Sequence, residues 1–431
     1  MRRIFTGILV FCLCCVCSKP VFADEASLQK EVQELKQMVQ ELKQIVETQQ
    51  KEIAEIKQTG TQPVNASPLT AEPSNASNVP SFQKLTGRWN PDIGVIADVV
   101  LSSDSPKADT EGADRISVRE LELVFGSAID PYSRMDATLA ISDFEEMSIE
   151  EAYITRFGLP LDTTARIGRF LPRIGKSISV HRDTLDTVDE PMVIEKYFGH
   201  HGYNKTGADI AKTLELPTPM THQLTLGILE GGNGEEGTLF GTTRRHPTIY
   251  SSLKNYADIN DNTGLEMGLS YLVGSRDEDS SFEVNVLGMD GTLTHRYADQ
   301  RHVKFQGEAY FVSREESYYT FEDPITGEFS LQDLDDARHL WGGYFLADWR
   351  FSPQWATGFR LDDVQLIETA EDFANVNSKQ QGYTGYLTFY QSEFARWRVQ
   401  YSHIEQTDAN DDDRVFVQGT FAIGEHKHKI Q

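Results

Sequence analysis

Cysteine is almost missing from this chain of 431 residues. Its four copies, Cys12, Cys14, Cys15 and Cys17, all fall in one apolar run from Ile4 to Cys17. Arg2 and Arg3 precede that run, and Val21-Phe22-Ala23 ends it on a small residue. This pattern reads as a secretory signal peptide over residues 1–23, cleaved after Ala23. The mature chain is then expected to have neither disulfides nor a thiolate metal site. Long hydrophobic runs are also missing. Nothing after the leader reaches the roughly 20 apolar residues that a membrane helix needs. Hydrophobic residues make up only 39% of the chain, which is low for a protein with one large core. Positive charge is scarce: 40 Lys and Arg stand against 66 Asp and Glu, a net charge of −26. Without Arg2, Arg3 and Lys19 it becomes −29. A surface of that sign disfavours nucleic acid as a partner. Catalytic signatures are absent too. Neither a Gly-x-Ser-x-Gly elbow nor a His-Glu-x-x-His pair occurs, so no catalytic residue and no cofactor is expected.

Two short regions precede the bulk of the chain. In residues 24–58, Val32, Val39, Val46 and Ile53 recur every seven positions, and so do Leu28, Leu35, Leu42, Gln49 and Ile56. The two series interleave as a and d positions of an α-helical coiled coil, with Glu and Lys on the flanks. So narrow a seam calls for a helical partner, most simply further copies of the same chain. Residues 59–87 hold Pro63, Pro68, Pro73 and Pro80 among Asn, Ser, Thr and Ala, without periodicity, and read as a linker.

Residues 88–431 alternate. Val303, Phe305, Gly307, Ala309 and Phe311 trade places with Lys304, Gln306, Glu308 and Tyr310. Leu265, Met267, Leu269, Tyr271 and Val273 do so with Glu266, Gly268 and Ser270. One face suits lipid and the other water, as in a strand of a closed membrane barrel, where every backbone hydrogen bond is met between strands. About sixteen such segments fit. The connections after odd strands are long: 102–114, 172–206, 231–246, 315–338 and 364–379. Those after even strands are short: 128–131, 158–162, 216–220, 352–353 and 392–393. Long extracellular loops and tight periplasmic turns produce this asymmetry. Trp341, Trp349, Phe351, Trp397 and Tyr401 fall near strand ends, as interfacial girdles do. The expected fold is therefore an all-β, antiparallel transmembrane barrel of about 16 strands behind an N-terminal coiled coil. The expected location is the outer membrane of a Gram-negative bacterium, with the coiled coil in the periplasm.

The segment RIGRFLPRIGKSISVHRDTLDTVDEP, Arg166 to Pro191, resembles the phosphate-selective porin family, porins O and P. There a strand of the form Arg-x-Gly-x-Phe, here Arg166, Gly168 and Phe170, enters a long loop with a Gly. The preceding SVRELELVFGSAIDPYSRMDATLAI is similar to an early hairpin of that family and its coiled-coil-bearing relatives. The resemblance implies an outer-membrane pore of sixteen or eighteen strands, organised as a homotrimer.

Strand parity nominates the lining of such a pore. With Phe305 and Trp349 towards lipid, Glu120, Glu122, Arg134, Asp136, Glu266, Lys304, Glu308, Asp348, Arg350, Arg360, Arg396 and Arg398 face the lumen. Acidic early strands opposite basic late ones would set up a transverse field at a constriction, or the charges would pair between neighbouring strands. The loop 172–206 is long enough to narrow the lumen, and Arg173, Lys176, His181 and Arg182 are its constriction candidates. His426 and His428 fall on one side of an extended tail and are the candidate metal ligands. The expected partners are the lipid bilayer with its lipopolysaccharide, further copies of the chain, and small solutes. The expected function is passive diffusion of small solutes with a weak preference for cations. A structural anchor with a coiled-coil spacer, and a phosphate- or anion-selective pore, are the alternatives. The heptads make a separate prediction: the isolated 24–58 peptide should sediment as an oligomer, and Leu35→Asp with Leu42→Asp should return it to monomer.

Overall fold

The computed structural model describes residues 91–105, 116–142, 147–199, 202–232, 238–277, 282–315, 317–322, 329–333, 337–367, 378–407 and 410–424. The leader, the heptads, the linker, His426 and His428 lie outside the described residues.

Period-two alternation leaves each segment one choice, an extended strand with its faces in different media. The first eight strands are β1 (Asp92–Ser105), β2 (Ile116–Asp130), β3 (Ser133–Ile141), β4 (Ser148–Leu159), β5 (Thr163–Phe170), β6 (Lys205–Leu214), β7 (Thr221–Leu229) and β8 (Thr248–Asn260). β9 (Thr263–Ser275), β10 (Glu283–Ala298) and β11 (Arg301–Arg314) follow. β12 (Ser317–Glu322) and β13 (Phe329–Asp333) form a separate hairpin in the next connection. β14 (Arg338–Arg350), β15 (Trp355–Gln365), β16 (Lys379–Ser392), β17 (Ala395–Gln406) and β18 (Asp412–Gly424) complete the set. Sixteen of these form one closed antiparallel barrel in chain order, omitting only β12 and β13. Closure comes from β1 against β18, in register from Gly94 opposite Gly424 to Ser105 opposite Asp413.

The tight turns are made by short polar side chains that cap backbone N–H groups. Asp130 Oδ1 accepts from the Tyr132 N–H at 2.7 Å, and Asn260 Oδ1 accepts from Asn262 at 3.0 Å. Ser352 and Ser392 hydroxyls do the same for Trp355 and Phe394, at 3.0 and 3.2 Å.

The outer face is apolar and exposed. Met267, Leu269 and Tyr271 of β9 are 41%, 43% and 45% accessible, while Ser270 and Leu272 between and beyond them are buried. The aromatics at strand ends face outward, and several pair: Trp349 Nε1–H donates to Tyr297 at 3.0 Å, and Trp397 Nε1–H to Gln391 at 2.9 Å.

The inner face departs from expectation. A lumen lined throughout for water is not what the wall presents. Tyr250, Leu272, Val284, Val286, Tyr310, Val312, Leu340, Tyr344, Leu346, Val364, Tyr386 and Ile404 all point inward and are buried. They pack on apolar residues of the connection between β5 and β6, so this part of the lumen holds a hydrophobic core in place of solvent. Strand parity identifies the inward residues but not what covers them.

A test of this placement uses the lipid face. Leu269→Arg, halfway along β9, is expected to destabilise the barrel by about 2–4 kcal/mol in urea unfolding from lipid vesicles. Ile259→Arg, at the end of β8, should cost about 0–1 kcal/mol. Equal costs at the two positions would contradict the proposed depth.

Candidate functional site

The site is the described part of the connection between β5 and β6, residues 171–199 and 202–204, folded into the barrel. Its entry is built by the Arg-x-Gly-x-Phe segment. The guanidinium of Arg166 lies 4.3 Å from the centre of the Phe170 ring and 2.6 Å from Asp209 of β6. Asp209 also accepts from the Tyr250 hydroxyl at 2.7 Å. Arg166 then donates to the carbonyl of Leu171 at 3.3 Å, where the chain leaves the wall. Arg173 sits beside this pair. Burial, and then the neighbouring charge of Arg166, hold its guanidinium below the usual arginine range.

Gly175 lets the chain approach the wall. Its φ is +56°, and a Cβ there would lie 2.1 Å from the Tyr310 hydroxyl and 2.2 Å from Glu308 Oε2. Only glycine fits both the conformation and the space. Beyond it, the Ser177 N–H donates to Glu308 Oε1 at 2.6 Å, and Lys254 donates to the Gly175 carbonyl at 2.6 Å. Lys176 pairs with Glu266 on β9.

The chain then runs past β15, β17 and β2, where arginines hold its backbone. Arg396 donates to the Asp183 carbonyl at 2.5 Å and Arg398 to the Thr187 carbonyl at 2.9 Å. Arg360 donates to the Asp189 carbonyl at 3.0 Å and the Thr187 hydroxyl at 2.5 Å. Arg119 of β2 reaches the Val188 carbonyl, and the Val188 N–H donates to Gln400 at 2.6 Å. Asp186 binds Lys304 at 2.6 Å. Burial alone would raise the pKa of this carboxyl, but the charge and hydrogen bond of Lys304 bring it below the usual aspartate range. The return path is a short helix, α1 (Met192–Phe198), whose first N–H donates to Asp362 Oδ1 at 3.0 Å. Its apolar side, with Val193, Tyr197 and Phe198, joins the inward core.

On the third side the loop meets acids. His181 Nε2 lies 2.9 Å from Glu151 and Nδ1 3.2 Å from Glu150, both on β4. Glu122 of β2 is 4.0 Å from Nδ1. Burial opposes a charge on His181, yet these carboxylates raise its pKa well above the ordinary histidine value. Glu190 is the reverse case. Burial lifts its carboxyl from 4.5 to about 7, only partly offset by Arg182 at 3.7 Å.

Two polar cavities are present, and the loop lines the first of them. One, of about 370 Å³, is lined by both signs of charge, including Arg119, Glu120, Glu150, Arg182 and Glu190. The other, of about 320 Å³, lies among the ends of β8–β10 next to the tight turns and includes Asp258, Glu266 and Arg296.

The parity-derived residues thus meet different fates. Arg360, Arg396, Arg398, Lys304, Glu266 and Glu308 bind the loop. Arg134 pairs with Asp136 of its own strand at 2.9 Å. Asp348 accepts from the Tyr386 hydroxyl at 2.8 Å. Arg350 stacks over Tyr390, 4.2 Å from its centre, and donates to the Pro353 carbonyl. Glu120 and Glu122 face His181 and Arg182. Neither a bare transverse field nor pairing between neighbouring strands describes Arg360, Arg396 and Arg398, which are 1–3% exposed beneath the loop. Sequence reasoning missed Glu150, Glu151, Arg119, Lys254 and Gln400; strand parity was available for Lys254 and Gln400, whereas Arg119 and Glu150 sit at register shifts that break it.

No family model matches the chain. An uncharacterised protein of Aquifex aeolicus (strain VF5) is 26% identical over 336 residues, covering 71% of this chain and 68% of its own length. Among solved structures, an anion-selective porin from Comamonas acidovorans aligns at 10% identity and TM-score 0.51, over 78% of this chain and 99% of its own. Pseudomonas putida OprB aligns at 8% identity and TM-score 0.52, over 78% and 94%. Salmonella typhi OmpF, in complex with daunomycin, aligns at 10% identity and TM-score 0.51, over 77% and 97%. At these identities the likeness is one of fold: a closed 16-stranded antiparallel barrel of the porin type.

Glu190 yields a pH test. The docked loop binds its proton more tightly than the unfolded chain does, so ionisation costs stability. That cost is absent below about pH 4.5 and grows until about pH 7. Glu190→Gln is expected to change thermal stability little at pH 4 and to stabilise the protein by roughly 1–3 kcal/mol at pH 8. A gain that is the same at both pH values would contradict the burial of this carboxyl.

Proposed function

We propose that the chain is an outer-membrane diffusion pore for small solutes, with residues 171–204 as its constriction. The observation that carries this reading is a loop bound inside a closed barrel and lining a polar, charged cavity, with a second such cavity among the ends of β8–β10. A polar route bounded by buried ion pairs suits hydrated small solutes. A weak preference for cations follows from the charge outside the constriction. Residues 59–431 hold 58 acidic residues against 32 Lys and Arg. Acidic clusters such as Asp411-Asp412-Asp413 concentrate cations at the mouths, and salt screens the effect over about 8 Å at physiological ionic strength. Arg360, Arg396 and Arg398 are spent on the loop backbone and do not offset that charge along the path. The heptads support self-association in the periplasm, which the resemblance to porins makes a homotrimer, and the lipid-facing girdle supports contact with lipid and lipopolysaccharide.

The test is recording from planar bilayers. Discrete conductance steps are expected, with reversal potentials that favour cations at low salt and lose that bias as salt rises. Anion selectivity that phosphate saturates would replace this reading with the phosphate-selective one, and folded trimers without conductance would replace it with a structural anchor. Arg360→Ala combined with Arg398→Ala removes two of the loop's anchors and should raise unit conductance severalfold, with more frequent fluctuation between levels.

A further inference from the structure

The acidic side of the loop carries a second inference, independent of solute passage. His181 is held between two carboxylates, Glu150 at Nδ1 and Glu151 at Nε2. A neutral imidazole donates from one nitrogen only, so the other would turn a lone pair towards a carboxylate. Either a second proton on the ring or a metal cation on one side must therefore make up the difference. The Nε2–H with Glu151 has the form of the carboxylate–histidine pair that orients metal-bound imidazoles. On the other side, Nδ1 meets Glu150 and Glu122, and one donor atom from each of the three residues lies within 4.8 Å of the other two. Glu122 is 2% exposed and, at 4.0 Å, too far from Nδ1 for a hydrogen bond. A further observation points the same way. Asp183 is 3% exposed, its Oδ1 is buried without a hydrogen-bond partner, and its charge bears on Glu122. Arg119 and Arg182 are the other cations near this group, against Glu120, Glu122, Glu150, Glu151 and Asp183. A lone proton on His181 leaves Glu122 and Asp183 unmet.

We propose that His181 Nδ1, Glu122 and Glu150 bind a divalent transition-metal ion of the zinc class, with Glu151 orienting the imidazole. An ion about 2.0–2.2 Å from each donor draws the three together and meets the charge of Asp183. The imidazole donor favours zinc, nickel or copper over calcium and magnesium. Bound there, the ion ties the loop to β2 and β4.

The experiment uses the full-length protein in detergent, stripped with chelator and then dialysed to equilibrium against Zn²⁺, with Ca²⁺ and Mg²⁺ as comparators. Metal content and calorimetric titration are the readouts, and heat-modifiable gel migration verifies the fold of each variant. One Zn²⁺ per chain is expected, bound at least 100-fold more tightly than Ca²⁺. His181→Ala should weaken it at least 100-fold, and Glu151→Gln by about 10–100-fold. Should His181→Ala not fold, Glu122→Gln with Glu150→Gln removes the same donors and should show the same loss. The proposal is overturned if the folded wild type binds no Zn²⁺ or binds Ca²⁺ equally well. It is also overturned if binding survives His181→Ala but is lost in His426→Ala with His428→Ala, which would place the ion on the C-terminal tail. None of these readouts depends on conductance.

Discussion

Closure of the hydrogen-bonded ring is the constraint from which the rest follows. In hydrocarbon an unpaired backbone group costs several kcal/mol, so a sheet there can have no edge. The pairing of β1 with β18 removes the last edge. Closure also fixes the parity of every strand at once, because a slip of one residue would turn each side chain to the other face. The inward set is thus delivered to a small enclosed volume. Whatever enters that volume must satisfy it.

The loop does so in two ways. Its apolar residues fill the space against inward valines, leucines and tyrosines, much as a soluble core is filled. Its polar stretch, which has no helix or sheet to pair its carbonyls, takes donors from arginines on the wall. A guanidinium suits this task, since it has five N–H donors and stays charged at any physiological pH. The same groups would attract anions if they were open to solvent. Burial beneath the loop changes their role from recognition to support.

The barrel was legible in the sequence because period-two alternation recurs in about sixteen segments and their connections contrast long with short. Each predicted segment overlaps one barrel strand of the structure. The loop was legible as a candidate constriction through its length and its basic content. Its partners were not. Arg396 and Arg398 could be placed inside by parity, but nothing local marks them as donors to Asp183 and Thr187, some two hundred positions away. Nor does local pattern separate an inward valine facing water from one facing a helix. Val284, Val286 and Val312 point inward and are core, because the covering residues come from a different part of the chain. Glu150 and Glu151 escaped notice at the start of a strand, where parity is hardest to assign.

One property of the loop reaches beyond its own site. The short stretch from Thr187 to Asp189 is bonded by Arg119 of β2 on one flank and by Arg398 and Gln400 of β17 on the other. Between those strands lies the seam of β1 and β18, where the two ends of the barrel chain meet. The loop is therefore an internal clasp across the closure line. Capture of the loop and sealing of the cylinder reinforce each other, which makes the middle of the chain a participant in joining its ends.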